Sequence, residues 1–187
     1  TQDIIEIDQV INGDIILDEL DDKVQKLGFE IIALRAPQAA DLRRVIVALK
    51  IATIFERIGD YSRNISNRTK LLIELNYSDL PGVNIGKMGQ KTLTMIEDVI
   101  ESYTNEDDKL AVKVRNSDVK IDKMNTQYYL EIVASMQRNK KLAPTGAHLL
   151  FIAKNIERVA DYVTDIAEQV YFLVNGKVLS DERPKAD

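Results

Sequence analysis

The sequence predicts an all-α protein built from two copies of one helical unit. Three observations predict it. Glycine and proline are scarce, at 8 and 4 in 187 residues, and they punctuate long stretches with the helical apolar period rather than many short strands. The run VINGDIILDEL from Val10 lines up with VRNSDVKIDKM from Val114 at an offset of 104, and ERIGDY from Glu56 lines up with ERVADY from Glu157 at an offset of 101. Both copies also place a proline between these two runs, Pro37 and Pro144. Self-similarity of this kind marks a duplicated supersecondary unit.

The elements follow in order. Leu17, Leu20, Val24, Leu27 and Ile31 keep helical spacing until Arg35-Ala36-Pro37, where proline ends the helix. A second helix is predicted from about Gln38 to Leu75, roughly 55 Å long at 1.5 Å per residue. Asn, Ser, Asp, Pro and Gly cluster over 76–89, which reads as the linker between copies. Helices are then predicted at about 91–103, 106–138 and 145–174, the last stopped by Asn175-Gly176. Pro37, Pro81 and Pro144 stand at helix starts, where a missing N–H costs nothing, and Pro184 falls in a charged tail expected to fray. The domain division expected is 1–80 for the first repeat and 81–187 for the second with its tail. The second repeat reads as three helices and the first as two, because Thr1 aligns near Asn105. The leading helix of the first repeat is thus expected upstream of Thr1, some 25 or more residues earlier, about one helix and its loop.

Composition excludes several classes. Net charge is −5 and the pI near 5.1, which argues against a nucleic-acid partner, since phosphate binding needs a basic patch. With no cysteine, disulfides and thiolate metal sites are excluded, and one histidine excludes a multi-histidine zinc site within the chain. No apolar run approaches the roughly 20 residues of a membrane-spanning helix.

The acidic residues carry the chemical interest. At 100° per residue, Ile54, Ile58 and Ile65 share one side of the second helix with Ile51 close by, and Glu56, Asp60, Asn64 and Asn67 share the other. The last helix repeats this: Ile152, Val159, Val163, Ile166 and Val170 form a stripe, with Glu157, Asp161, Thr164, Asp165 and Glu168 opposite. Asp14 and Asp18 lie away from the Leu20/Val24/Leu27 stripe, and Asp118 and Asp122 flank Ile121 and Tyr128. All eight carboxylates (Asp14, Asp18, Glu56, Asp60, Asp118, Asp122, Glu157 and Asp161) are therefore expected at or outside the edge of the packed faces, which makes any site a surface cluster. A single acidic pair four residues apart is ordinary solvated surface, whose like-charge cost is only about 0.2–0.5 kcal/mol. Two different pairs recurring in the same order in both copies carry more weight. If the two helices pack side by side, each copy gathers four hard oxygen ligands suited to Mg, Ca, Mn or Fe.

These residues resemble the PhoU family, the phosphate-uptake regulators of bacteria. The resemblance rests on RAPQAADLR from Arg35, ALKI from Ala48, ERIGD from Glu56, AHLLFIAKNIERVAD from Ala147, and Asn175-Gly176, and it spans nearly the whole chain. It implies two three-helix bundles side by side. It implies that Asp14/Asp18 with Glu56/Asp60, and Asp118/Asp122 with Glu157/Asp161, are acidic motifs binding multinuclear iron first of all, or Zn, Mn, Mg or Ca. It also implies a cytoplasmic, non-enzymatic regulator that contacts a sensor histidine kinase and the ATPase subunit of the phosphate ABC transporter, and meets the membrane only through such partners. A homodimer is left open. The chain departs from the pattern by the missing leading helix and by Ala160 where the first copy has Gly59.

Two other readings are kept. One is a di-metal carboxylate enzyme, which the missing histidine ligands disfavour: Thr145 stands three residues before His148, so there is no Glu-x-x-His pair. The other is a purely structural scaffold. Gly82, Gly86 and Gly89 form no phosphate loop. His148 and Tyr128 are expected to be structural. Arg57 and Arg158 are expected to pair with Asp60 and Asp161, with bound phosphate as the second choice. Arg43-Arg44 and Asn139-Lys140-Lys141 are expected to be solvated surface.

Overall fold

The structure is a computed structural model that describes residues 2–77, 80 and 82–179. Pro81 and Pro184 lie outside the described residues. Five α-helices account for nearly all of them: α1 (Gln2–Arg35), α2 (Ala39–Glu74), α3 (Ile85–Asn105), α4 (Asp108–Arg138) and α5 (Ala143–Asn175), with one 3-10 turn at Lys140–Leu142.

The helix boundaries have local chemical causes. The α3 helix begins at Ile85, six residues ahead of the predicted start, because the Asn84 side chain accepts the Lys87 N–H at 2.9 Å and caps the first turn. That cap carries the helix across Gly86 and Gly89, which read as linker by composition. Asp107 caps α4 by accepting from the N–H groups of Lys109 and Leu110 at 3.0 Å each. Pro144 sits in the first turn of α5, and Gly176 ends that helix at a left-handed φ of 65°, its N–H donating to the Phe172 carbonyl.

In the packing, α1 lies on α2, α4 lies on α5, α3 covers both α4 and α5, and α2 meets α5 along the seam between the repeats. The α5 helix therefore has neighbours on three sides. Its predicted stripe is buried as expected: Ile152, Val159, Val163, Ile166 and Val170 all lie in the core with Val47, Ile51 and Ile58 of α2 and Val114, Ile121 and Ile132 of α4. Each such side chain contributes on the order of 1.5–3 kcal/mol by leaving water.

Two expectations about faces are corrected. Thr164, predicted on the outer side of α5, is wholly buried, because the third neighbour covers that side, and its hydroxyl donates to the Asp161 carbonyl at 2.7 Å. The predicted apolar stripe of α1 is not core: Leu20, Leu27 and Ile31 are exposed. Among the described elements α1 packs on α2 alone, whereas its counterpart α4 has α3 over it. Tyr128 of α4 is buried as expected, its hydroxyl donating to the Asn84 carbonyl at 2.9 Å.

Candidate functional site

The first acidic quartet straddles the α1–α2 contact, where the two helices run antiparallel. Asp8 pairs with Lys70 at 2.9 Å at one end, and Gln25 reaches the Leu49 carbonyl and the Thr53 hydroxyl towards the other. Asp14 lies between these points, and Gly59 lets it approach. A Cβ on Gly59 would stand 2.8 Å from Asp14 Oδ1 and 2.6 Å from Leu17 Cδ1. The absence of a side chain at 59 is what lets α1 press its aspartate against the α2 backbone.

That placement overturns the expectation of a purely exterior site. Asp14 is only 4% exposed, and Asp118 in the second repeat only 1%. Each sits on the side of its helix that faces the neighbour, because the packed stripe is wider than the apolar residues alone mark out. Glu56, Asp60, Asp122, Glu157 and Asp161 are partly exposed, and Asp18 is exposed. Each copy thus has one acid rooted in the helix interface and the others nearer solvent.

Arg63 holds the first quartet together. Its guanidinium pairs with Asp14 Oδ2 through one nitrogen and with Asp60 Oδ1 through another. The remaining oxygen of Asp14, Oδ1, is buried and accepts no hydrogen bond. Burial pushes the Asp14 carboxyl above the ordinary aspartate value; Arg63 opposes this, and Asp60 and Asp18 add to it. Glu56 is also raised, first by burial and then by Asp60, Asp18 and Asp21, with Arg57 opposing. All four predicted residues therefore share one electrostatic environment. Asp21, which sequence reasoning did not single out, belongs to it as well, and accepts from Gln25 at 3.0 Å and Thr53 at 3.2 Å.

The second quartet is built with different cations. Lys154 pairs with Glu157 at 2.5 Å, and the buried Arg115 donates from Nε to Glu168 at 2.9 Å across α4 and α5. Arg115 was not anticipated; its place one turn before Asp118, on the same helix side, was the available signal.

The donor set suits a hard cation: carboxylate oxygens only, with one buried oxygen of Asp14 lacking a hydrogen-bond donor. Among the described residues, no group of three or more acidic or histidine side chains converges at ligating geometry. In the first quartet, Arg63 supplies the positive charge between Asp14 and Asp60.

Arg57 and Arg158 depart from the predicted ion pairs. The Arg57 guanidinium lies 5.8 Å from the ring centre of Tyr162, and that of Arg158 lies 5.6 Å from the ring centre of Tyr61. Each arginine of the ERIGDY/ERVADY repeat thus covers the tyrosine of the other copy. Beside this pair runs a groove of about 470 Å3 in which Lys50 and Arg57 of α2 face Asp165 and Glu168 of α5. Arg43 and Arg44 are also not idle surface. Arg43 Nε donates to the Leu173 carbonyl at 2.9 Å, and Arg44 pairs with Glu106 at 3.2 Å, joining the start of α2 to the ends of α5 and α3.

No helix among the described residues is long and apolar enough to cross a membrane. The PhoU domain family matches residues 1–69 and again 85–170. A Caulobacter vibrioides protein named phosphate-specific transport system accessory protein PhoU homolog is 36% identical over 178 residues, covering 95% of this chain and 77% of its own length. A Zymomonas mobilis protein of the same name is 37% identical over 169 residues, covering 90% of this chain and 71% of its own. The crystal structure of PhoU from Pseudomonas aeruginosa superposes with a TM-score of 0.88 at 26% identity, over 91% of this chain and 82% of that one. With the duplicated helical unit, the side-by-side repeats and these matches over both halves, the chain belongs to the PhoU family.

Proposed function

We propose that this protein is a non-enzymatic accessory regulator of a phosphate-specific transport system, acting in the cytoplasm. The observation that carries this reading is the 36% identity, over 95% of the chain, to a relative named for that role. In this reading it represses the phosphate-starvation response as an adaptor between the ATPase subunit of the phosphate ABC transporter and a sensor histidine kinase. The two repeats, 1–80 and 81–187, each contribute one acidic quartet. The first would hold a hard cation, iron foremost, through Asp14, Asp18, Glu56 and Asp60, and the second through Asp118, Asp122, Glu157 and Asp161. Such an ion would add positive charge between the two helices, in the first quartet beside or in place of the Arg63 guanidinium. The buried, hydrogen-bond-free Oδ1 of Asp14 and the raised carboxyls of Asp14 and Glu56 support the first site.

Elemental analysis of protein purified without chelator tests the cation. Iron or another metal above trace, with a melting shift on metal addition, is expected; neither, in the same preparation, removes the metal claim. Pull-down from the native host is expected to recover the transporter ATPase or the kinase, and recovery of neither defeats the adaptor claim. Redox turnover by iron-loaded protein would favour a di-metal carboxylate enzyme instead.

A further inference from the structure

Positive charge is gathered at one place in the second repeat. Lys87 and Lys91 of α3 and Lys120 and Lys123 of α4 line a single groove of about 610 Å3 between these helices. They sit four and three residues apart, so each pair shares one side of its helix. All four are exposed. The lysine ion pairs among the described residues are Lys70 with Asp8, Lys113 with Asp98 and Lys154 with Glu157, so none involves the groove. Acidic residues outnumber basic ones 30 to 25 in this chain, yet these four cations stand together without carboxylate partners. Glu131 packs beside Gly82 at the rim and forms no ion pair with them.

The surroundings reinforce the charge. The groove ends at the start of α3, where the Asn84 cap leaves the partial positive charge of a helix N-terminus. On α4, Lys120 and Lys123 stand about 160° and 140° around the helix from the buried Asp118, on the side away from that carboxylate. The floor is Val83, Met124 and the buried Tyr128.

We propose that this groove binds an oligophosphate chain, the linked-phosphate anion shared by inorganic oligophosphates and nucleoside triphosphates. Four ammonium groups exceed the charge of one phosphate, about −1.5 to −2 at neutral pH, and match two or three linked phosphates. Lysines act as flexible point charges, which suits a chain of many equivalent oxygens better than one planar carboxylate. The Tyr128 ring is buried and its hydroxyl engaged, so the groove reads phosphate and not a base. This inference uses neither the acidic quartets nor the transporter reading.

The test is calorimetric titration of the full chain with tripolyphosphate, ATP, orthophosphate and sulfate in magnesium-free buffer. Tripolyphosphate is expected to bind at one equivalent per chain and about tenfold more tightly than orthophosphate or sulfate. ATP at about equal affinity supports the phosphate chain as the recognised group, and ATP binding about tenfold or more tighter than tripolyphosphate overturns it in favour of a nucleotide site. Lys120→Gln with Lys123→Gln should weaken tripolyphosphate about thirtyfold, at roughly 1 kcal/mol per lysine lost. The control pair Lys140→Gln with Lys141→Gln should leave it unchanged, with helical circular dichroism equal in all three proteins. The proposal is overturned by absence of saturable tripolyphosphate binding, by equal loss in the control pair, or by orthophosphate binding as tightly. It is equally overturned if phosphatidylglycerol vesicles bind through these lysines while free tripolyphosphate neither binds nor displaces them.

Discussion

Tyr61 and Tyr162, equivalent residues of the two repeats, stack across the α2–α5 seam with ring centres 5.7 Å apart and planes inclined by 32°. The arginine four residues before each tyrosine covers the ring of the other copy. The ERIGDY/ERVADY repeat therefore encodes a reciprocal joint between the two halves as well as two of the acidic positions.

A double-mutant cycle on Arg57→Ala and Tyr162→Ala tests the joint. Coupling of about 0.5–1 kcal/mol is expected in urea unfolding, the range for an exposed cation over an aromatic ring. The cycle of Arg57→Ala with Asp60→Asn should show much less. The reverse ranking would restore the ion pair read from the sequence.

Gly59 and Ala160 occupy equivalent positions, and exchange should destabilise the protein at each for a different reason. Gly59→Ala gains about 1 kcal/mol of helix propensity but drives a methyl into Asp14 and Leu17, where overpacking costs about 1–3 kcal/mol. Net destabilisation is expected. Ala160→Gly loses both propensity and a buried methyl, so it too destabilises. Only Gly59→Ala should alter the pH response described next, as read by urea midpoints at two pH values.

Asp14 and Glu56 are both raised above the ordinary values of 3.8 and 4.5. The folded protein thus holds these two protons more tightly than the unfolded chain does. Their contribution to stability is complete below the ordinary values and is lost as pH rises through the raised ones. Glu56→Gln should therefore be more stable than the parent at pH 7, with the difference shrinking as pH falls towards 4.5. Arg63→Ala should lower the melting temperature at pH 7 by leaving the buried Asp14 without its counter-ion. Acidification should recover part of that loss. If the quartet takes a hard cation, Mn2+ or Fe2+ should recover it at pH 7, and more in Arg63→Ala than in the parent.

The residues that were legible and those that were not differ in a physical way. The α5 stripe from Ile152 to Val170 was readable because five apolar side chains repeat at one period. The burial of Asp14 and Asp118 was not, because a charged residue in a packed face breaks that period and reads as its edge. The clue lay across the interface: a glycine in the middle of a long helix costs about 1 kcal/mol, and Gly59 repays close approach. Thr164 was misplaced for another reason. One helix's periodicity reports a single buried side, while α5 has three neighbours. The cation–ring contacts of Arg57 and Arg158 depend on how α2 meets α5, which local spacing does not carry.

The end of α5 supplies the last test. Gly176 adopts φ 65°, and a Cβ there would stand 2.8 Å from a guanidinium nitrogen of Arg43. Arg43 in turn donates to the Leu173 carbonyl, one of the last-turn acceptors that no backbone N–H reaches. Gly176→Ala should cost about 1–2 kcal/mol for the left-handed backbone, and must also push Arg43 aside. Arg43→Ala should cost about 1 kcal/mol through the lost hydrogen bond. Because both act on one cap, their effects should be less than additive. Amide exchange should quicken in the last turn of α5 before it changes elsewhere; uniform acceleration along α5 would mean that the contact stabilises the whole helix and not its end.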